Sequence, residues 1–253
     1  MMWEISVNFD HNHKKPANFL FNNIKNNLED FGSYIKILEN QSVISVMIAC
    51  EDYDKDRIKI FLSNAIIDTI CTFFKEEFLI SSLKLPIKDG IYFKALKKAL
   101  ISFDKETDAF LISKELSLDQ KTISIESFYY FKLKTLREKW QELASIANDN
   151  GYFLICNENF VDLLKFLVDN LEITYETINV FQEGENFKLF DDFNKSIEVG
   201  DEDDLVTSLI GLCPKQIVFY GETCDNEKLN LLVKIFDKRI KFKPIGAAQK
   251  SLW

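Results

Sequence analysis

Tyr129, Leu133, Leu136, Trp140, Leu143 and Ala147 recur at alternating spacings of four and three. That is the period of one face of an α-helix. The stretch carrying them, Thr122 to Asn150, predicts one long amphipathic helix in the middle of the chain. Ser124 suits its N-cap, and Asn150-Gly151 suits a left-handed stop. The pattern is too short for a coiled coil. The helix must therefore lay its stripe against the rest of the chain, as a spine between two α/β ends.

The ends read differently. Trp3, Ile5, Val7 and Phe9 alternate, which predicts a half-buried strand. His11 to Pro16 reads as a turn, and Pro16 to Gly32 as a helix with Phe19, Leu20, Ile24 and Leu28 inward. Two β-rich runs, from Tyr34 and from Val43, flank a hairpin turn at Glu39-Asn40-Gln41. Asp54 suits the N-cap of a helix running to about Leu83, with Ile58, Leu62, Ile66 and Ile70 inward. Pro86 and Gly90 mark a break, followed by helices over Tyr92–Ile101 and Asp104–Leu116. After the central helix, Asn157 opens a helix expected to pair antiparallel with it. The last third reads β-β-α-β-α-β, with a hairpin turn at Glu183-Gly184-Glu185.

The expected fold class is therefore α+β. A central helical layer lies between a small N-terminal sheet (β-α-β-β-α) and a small C-terminal one. The expected division is 1–85, 86–245 and a loose tail 246–253. Gly (8) and Pro (4) are too scarce for a many-turned β-sandwich, and 47% hydrophobic residues exclude a disordered chain. The apolar tract Ile58–Ile80 is interrupted by Lys59, Asp68, Lys75, Glu76 and Glu77, which makes it a core helix and not a membrane span. No export signal is read at the start, and the five Cys are odd in number and scattered. Both point to a cytoplasmic protein with buried thiols.

The net charge of -9 opposes nucleic acid and anionic membranes as bulk partners. The most locally basic face lies on the central helix. There Phe128, Tyr130 and Phe131 interleave with Lys132, Lys134, Arg137 and Lys139. Stacking rings beside cations suit single-stranded nucleic acid. The competing reading puts the rings in the core and the cations in water. Lys132, Lys134, Arg137 and Lys139 are the candidate contact residues for a nucleic acid or a protein partner.

Other motifs resolve to bland readings. His11 and His13 read as exposed turn histidines, since no paired carboxylate completes a metal set nearby in sequence. Cys213 and Cys224 lack a CxxC or a His partner and read as structural thiols. Asp201 to Asp204 fit a helix N-terminus better than a metal site. No phosphate-binding loop, nucleophile elbow or zinc motif occurs. The sequence therefore predicts no catalytic residue, no cofactor and no metal. Scattered carboxylates leave acid/base catalysis as a third reading.

Several segments together resemble the YtxC-like family of sporulation proteins from endospore-forming bacteria. They are Ile125–Leu133 with its aromatic run, Leu163-Leu164-Lys165-Phe166-Leu167-Val168 and Phe187-Lys188-Leu189-Phe190-Asp191. Leu205–Ile210 follows, with Cys213-Pro214-Lys215-Gln216-Ile217, then Ile235-Phe236 and Arg239-Ile240. The resemblance covers the C-terminal half in residues and the first half in element order. Where family members often carry a Cys-containing end, this chain has Lys243-Pro244-Ile245-Gly246. The family has no assigned activity, so the resemblance implies no site residues. Together with the lack of a catalytic constellation in the sequence, it points to a sporulation-associated, non-enzymatic protein that works by binding another protein. The alternative is a nucleic-acid-binding module using residues 128–139.

Overall fold

The computed structural model describes residues 2–28, 33–84, 90–151, 158–184, 186–198, 204–221 and 227–244. In chain order its strands and helices are β1 (Met2–Asp10), α1 (Lys14–Leu28), β2 (Tyr34–Glu39), β3 (Val43–Glu51), α2 (Lys55–Thr69), α3 (Lys75–Ser82), α4 (Gly90–Ser102), α5 (Lys105–Glu115), β4 (Thr122–Ser124), α6 (Ile125–Lys132), α7 (Lys134–Gly151), α8 (Glu158–Asp169), β5 (Tyr175–Glu183), β6 (Asn186–Phe190), β7 (Ser196–Ile197), α9 (Leu205–Leu212), β8 (Pro214–Tyr220), α10 (Glu227–Phe236) and β9 (Ile240–Lys243). The fold is α+β with two small sheets. The described residues form two compact units, 1–81 with 105–142, and 82–104 with 143–253. The sequence reading placed 105–142 with the C-terminal half. The chain instead leaves the first unit and returns to complete it.

The first unit holds a sheet of order β2-β3-β1-β4. β3 lies between β1 and β2 and runs antiparallel to both, so β1, α1 and β2 form a split β-α-β unit. β4 pairs parallel to β1 over Ser6–Asn8. Alternation fixes the register. Ile5, Val7 and Phe9 of β1 point inward with Ile44, Val46 and Ile48 of β3. They meet Leu20 and Ile24 of α1 and Ile58, Leu62 and Ile66 of α2 in one core. Each such side chain stabilises the fold by about 1.5–3 kcal/mol on full burial. Asn40 makes the β2–β3 turn, its Oδ1 accepting from the N–H groups of Ser42 (2.9 Å) and Val43 (2.8 Å).

α2 and α3 are joined by a π-helical turn, Ile70–Phe74. The extra residue shifts the inward face. Phe74 and Lys75 become buried, and Phe73 is only partly so. Lys75, one of the charges that interrupt the apolar tract Ile58–Ile80, thereby turns into the core. Asp54 occupies the N-cap of α2 but makes no side-chain cap bond.

The stretch 122–150 is not one helix. Thr122–Ser124 is a strand, Ser124 caps α6 by accepting from Ser127 N–H, and Leu133 (φ -97, ψ 39) separates α6 from α7. The strand forms because its N–H groups find β1, a partner no local period reveals. The stripe survives the break: Tyr129, Leu133, Leu136, Trp140, Leu143 and Ala147 are all buried. Its first four residues belong to the first unit's core. The unit boundary falls between Glu142 and Leu143, inside α7.

The second unit holds a sheet of order β7-β6-β5-β8-β9. β5, β6 and β7 run antiparallel, while β5, β8 and β9 run parallel. α8 packs against α10 and α4, and α9 against α4 and α10. Asp204 caps α9, accepting from Thr207 N–H at 3.0 Å, and Cys213 ends it in the left-handed region at φ 37.

Candidate functional site

In the first unit, alternation that buries one sheet face leaves the other in solvent. Tyr34 and Leu38 of β2, Met47 and Ala49 of β3, and Glu4 and Ser6 of β1 point outward together. Tyr34 is 74% exposed and Met47 43%. Large apolar groups side by side on one sheet face are not the scatter expected of an inert surface. Tyr34, Met47 and Ala49, with the edge of Ile48, floor a groove of about 410 Å3, and Glu4, Lys36 and Lys121 stand at its rim. Lys121 Nζ lies 3.4 Å from Glu4 Oε1, a loose exposed pair. A smaller groove of about 190 Å3 adjoins it at the edge of β1. It is lined by Met2, Trp3, Glu4, Lys55, Lys59 and Asp119 among others. Lys59 is held by Asp119 at 2.8 Å, and this contact keeps the Asp119 carboxyl below its ordinary range.

Two clusters of ionisable groups lie inside the same unit. In the first, Asp108 is fully buried and accepts three bonds: from Lys75 Nζ (2.6 Å), Lys139 Nζ (2.7 Å) and Trp140 Nε1 (3.1 Å). Burial pushes the Lys75 ammonium below its ordinary value, against the pull of Asp108. Neighbouring Cys71 is pushed up to about 12 by burial, with Asp108 adding to it. A thiol in that state is inert. This cluster ties the start of α3 to α5 and α7, and of its charged groups Lys139 alone reaches solvent.

In the second cluster, His13 Nδ1 lies 2.6 Å from Glu126 Oε1, and Nε2 lies 3.2 Å from Glu77 Oε2. His13 also stands against Phe74, with ring centroids 5.0 Å apart. The bond to Glu126 raises its pKa, opposed by burial and helped by Glu77. Burial pushes Glu126 up, but the bonds from His13 and from Asp10 N–H (3.0 Å) outweigh it and leave its pKa lowered. The exposed-turn reading of His13 is thus corrected; His11 does stay exposed, 3.1 Å from Glu39. The carboxylate partners come from 113 and 64 residues away, so spacing in sequence held no signal for them. Both imidazole nitrogens face carboxylates, which leaves neither to activate a nucleophile.

The basic residues predicted on the central helix are not one patch. Lys139 is committed to Asp108. Arg137 donates from Nη2 to the Tyr130 carbonyl (2.7 Å) and lies 5.6 and 5.7 Å from the Tyr129 and Tyr130 ring centroids. That carbonyl lost its helical partner at the Leu133 break, so Arg137 caps the end of α6. Lys134 pairs with Glu138 at 3.5 Å. Lys132 remains in solvent beside Phe131, which is 82% exposed.

Cys50, Cys71 and Cys213 are buried. Cys224, Asp201, Glu202, Asp203 and the tail 246–253 lie outside the described residues. Among the described residues no group of three or more His, Cys, Asp or Glu is placed to hold a metal, and no helix is long and apolar enough to cross a membrane. No family model, curated protein or solved structure matches the chain. The YtxC-like resemblance therefore stands on its residue pattern alone.

Proposed function

We propose that the chain is a cytoplasmic, non-enzymatic binding protein that contacts a protein partner through the open sheet face of its first unit. The observation that carries this reading is the groove floored by Tyr34, Met47 and Ala49 with charges at its rim. Apolar surface ringed by polar groups is what a recognition site needs. The ionisable clusters of the same unit support it from the other side, because their hydrogen bonds hold elements together. The sporulation setting comes from the YtxC-like resemblance. The test is crosslinked capture from sporulating cells with the wild type and with Tyr34→Ser/Met47→Ser. A partner held by the wild type and lost by the folded double variant is expected. Equal capture by both, or normal spore yield on deletion with no partner captured, overturns the reading.

A second reading has one observation in its favour. Tyr130 (56% exposed) and Phe131 stand in water beside Lys132 at the end of α6. Exposed rings next to a cation suit stacking on single-stranded nucleic acid. Fluorescence polarisation with a labelled oligonucleotide tests it. A signal that falls with salt and is lost in Phe131→Ala/Lys132→Glu supports this reading, and no binding at low salt ends it.

A further inference from the structure

The backbone groups along the outer edge of β1 can be followed residue by residue. Ser6 N–H donates to Lys121 O at 2.9 Å, so the even-numbered residues of β1 turn their N–H and C=O groups toward β4. At one end of this edge Asp10 N–H is taken by Glu126 Oε1. In the middle, Ser6 and Asn8 are taken by β4, whose register covers Ser6–Asn8 and no more. Met2 and Glu4 follow on the same edge, still inside the β1–β3 ladder, which runs from Met2 to Asp10. Their edge-facing backbone groups have no partner among the described residues. A strand edge of this kind is a template for another strand.

The surroundings of that gap select what fits. A strand laid beside Met2–Glu4 would send alternate side chains to opposite faces of the sheet. On the outer face such a strand meets Met2 and Glu4 of β1, and the apolar groove with Met47 and Ala49 opens one strand farther in, on β3. Along the edge itself lies the smaller groove, lined by Lys55, Lys59 and Lys121 and by two carboxylates, Glu4 and Asp119; Glu4 and Lys121 stand also at the rim of the outer groove. Its lining holds three lysines against two carboxylates, in a chain of net charge -9.

We propose that the open edge of β1 at Met2–Glu4 takes up an extended peptide as an added strand, with long apolar side chains reaching across β1 toward the groove of Met47 and Ala49 and acidic ones toward Lys55, Lys59 and Lys121. Main-chain bonds to the edge supply binding, and the two grooves supply the choice of sequence. The inference rests on the reading of this sheet as a protein contact and narrows the partner to a segment alternating acidic and apolar residues.

The probe is a fluorescein-labelled, end-blocked peptide alternating glutamate with leucine, titrated into the full chain and read by polarisation. Saturable binding is expected. It should weaken about tenfold or more in Lys55→Glu/Lys121→Glu and with a peptide carrying lysine for glutamate, as charge complementarity requires. A version N-methylated at alternate amides keeps every side chain but cannot form the ladder, and it should not bind. Hydrogen exchange at the Glu4 amide should slow when the unmodified peptide is bound. Equal binding of the methylated and plain peptides, or no slowing at Glu4, overturns strand addition. If the alternating peptide fails to bind while Tyr34→Ser/Met47→Ser still loses its cellular partner, strand addition falls and the protein-contact reading stands. If both experiments fail, both fall.

Discussion

The two sheets handle their faces differently. In the first unit, β1 and β3 bury every second residue and leave Glu4, Ser6 and Met47 outward. In the second, β8 buries Ile217, Val218, Phe219 and Tyr220 in succession. Ile217 and Phe219 share one face of that sheet. Val218 and Tyr220 share the other, where Tyr220 stacks on Phe181 at 4.5 Å. An antiparallel neighbourhood tolerates one wet face, whereas a parallel one is normally covered on both. β8 has a parallel neighbour on each side, and β3 has antiparallel ones. Strand direction thus goes with which sheet has a free surface to offer, and that is why the candidate site lies in the first unit.

The largest expected effect concerns what holds the one-sided sheet unit together. Asp108→Ala removes the acceptor shared by Lys75, Lys139 and Trp140 and strands a buried ammonium. A loss of about 3–5 kcal/mol is expected in urea unfolding followed by tryptophan fluorescence. Next is the direct comparison of faces. Val218→Ser should cost about 2–3 kcal/mol and Met47→Ser no more than about 0.5. Similar costs for the two would break the contrast between a covered and an open face. Arg137→Ala frees the Tyr130 carbonyl at the α6 end, and a loss of about 1–2 kcal/mol is expected. Arg137→Lys should recover little of it, since the planar fork both bonds the carbonyl and lies on the two rings.

The smallest effect is a pH dependence within the first unit. The raised pKa of His13 means that its stabilising contribution is complete below the ordinary 6.5 and is lost as pH rises through the raised value. The lowered pKa of Glu126 means that its contribution is complete above the ordinary 4.5 and is lost as pH falls through the lowered value. Both are present in full between those ordinary values. The difference in melting temperature between the wild type and His13→Gln should therefore be larger at pH 5.5 than at pH 9. A difference that does not change with pH would show that the His13 contacts with Glu126 and Glu77 do not depend on its protonation.

What the sequence shows of this fold follows from the range of the forces involved. The alternation in Trp3–Phe9 and the unbroken run Gln216–Tyr220 are local, and both sheets are readable from them. The stripe through Tyr129 and Trp140 is readable too, because burial has a period even where the helix breaks. The break itself is not readable. It depends on β4 finding β1 and on Arg137 reaching back to Tyr130, and neither has a local signature. The surroundings of Lys75 and of His13 are hidden from the sequence for one reason in common. A charged or titratable group is taken to face water unless its partner is known, and Asp108 and Glu126 are too far along the chain to be guessed. The open face could be inferred from the polar positions of β1, β2 and β3, but the gap at Met2–Glu4 requires knowing where β4 stops.

The parallel pairing of Ser6 with Thr122 has a consequence for synthesis. At roughly 5–20 residues per second, the ribosome delivers β4 on the order of ten seconds after β1. Trp140, which lies in the same core, follows β4. During that interval β1 can pair with β3 and receive α1 and α2, but the whole of its outer edge, from Met2 to Asp10, stays unfilled. The nascent chain therefore presents, for seconds, a longer version of the edge that the finished protein keeps open only at Met2–Glu4.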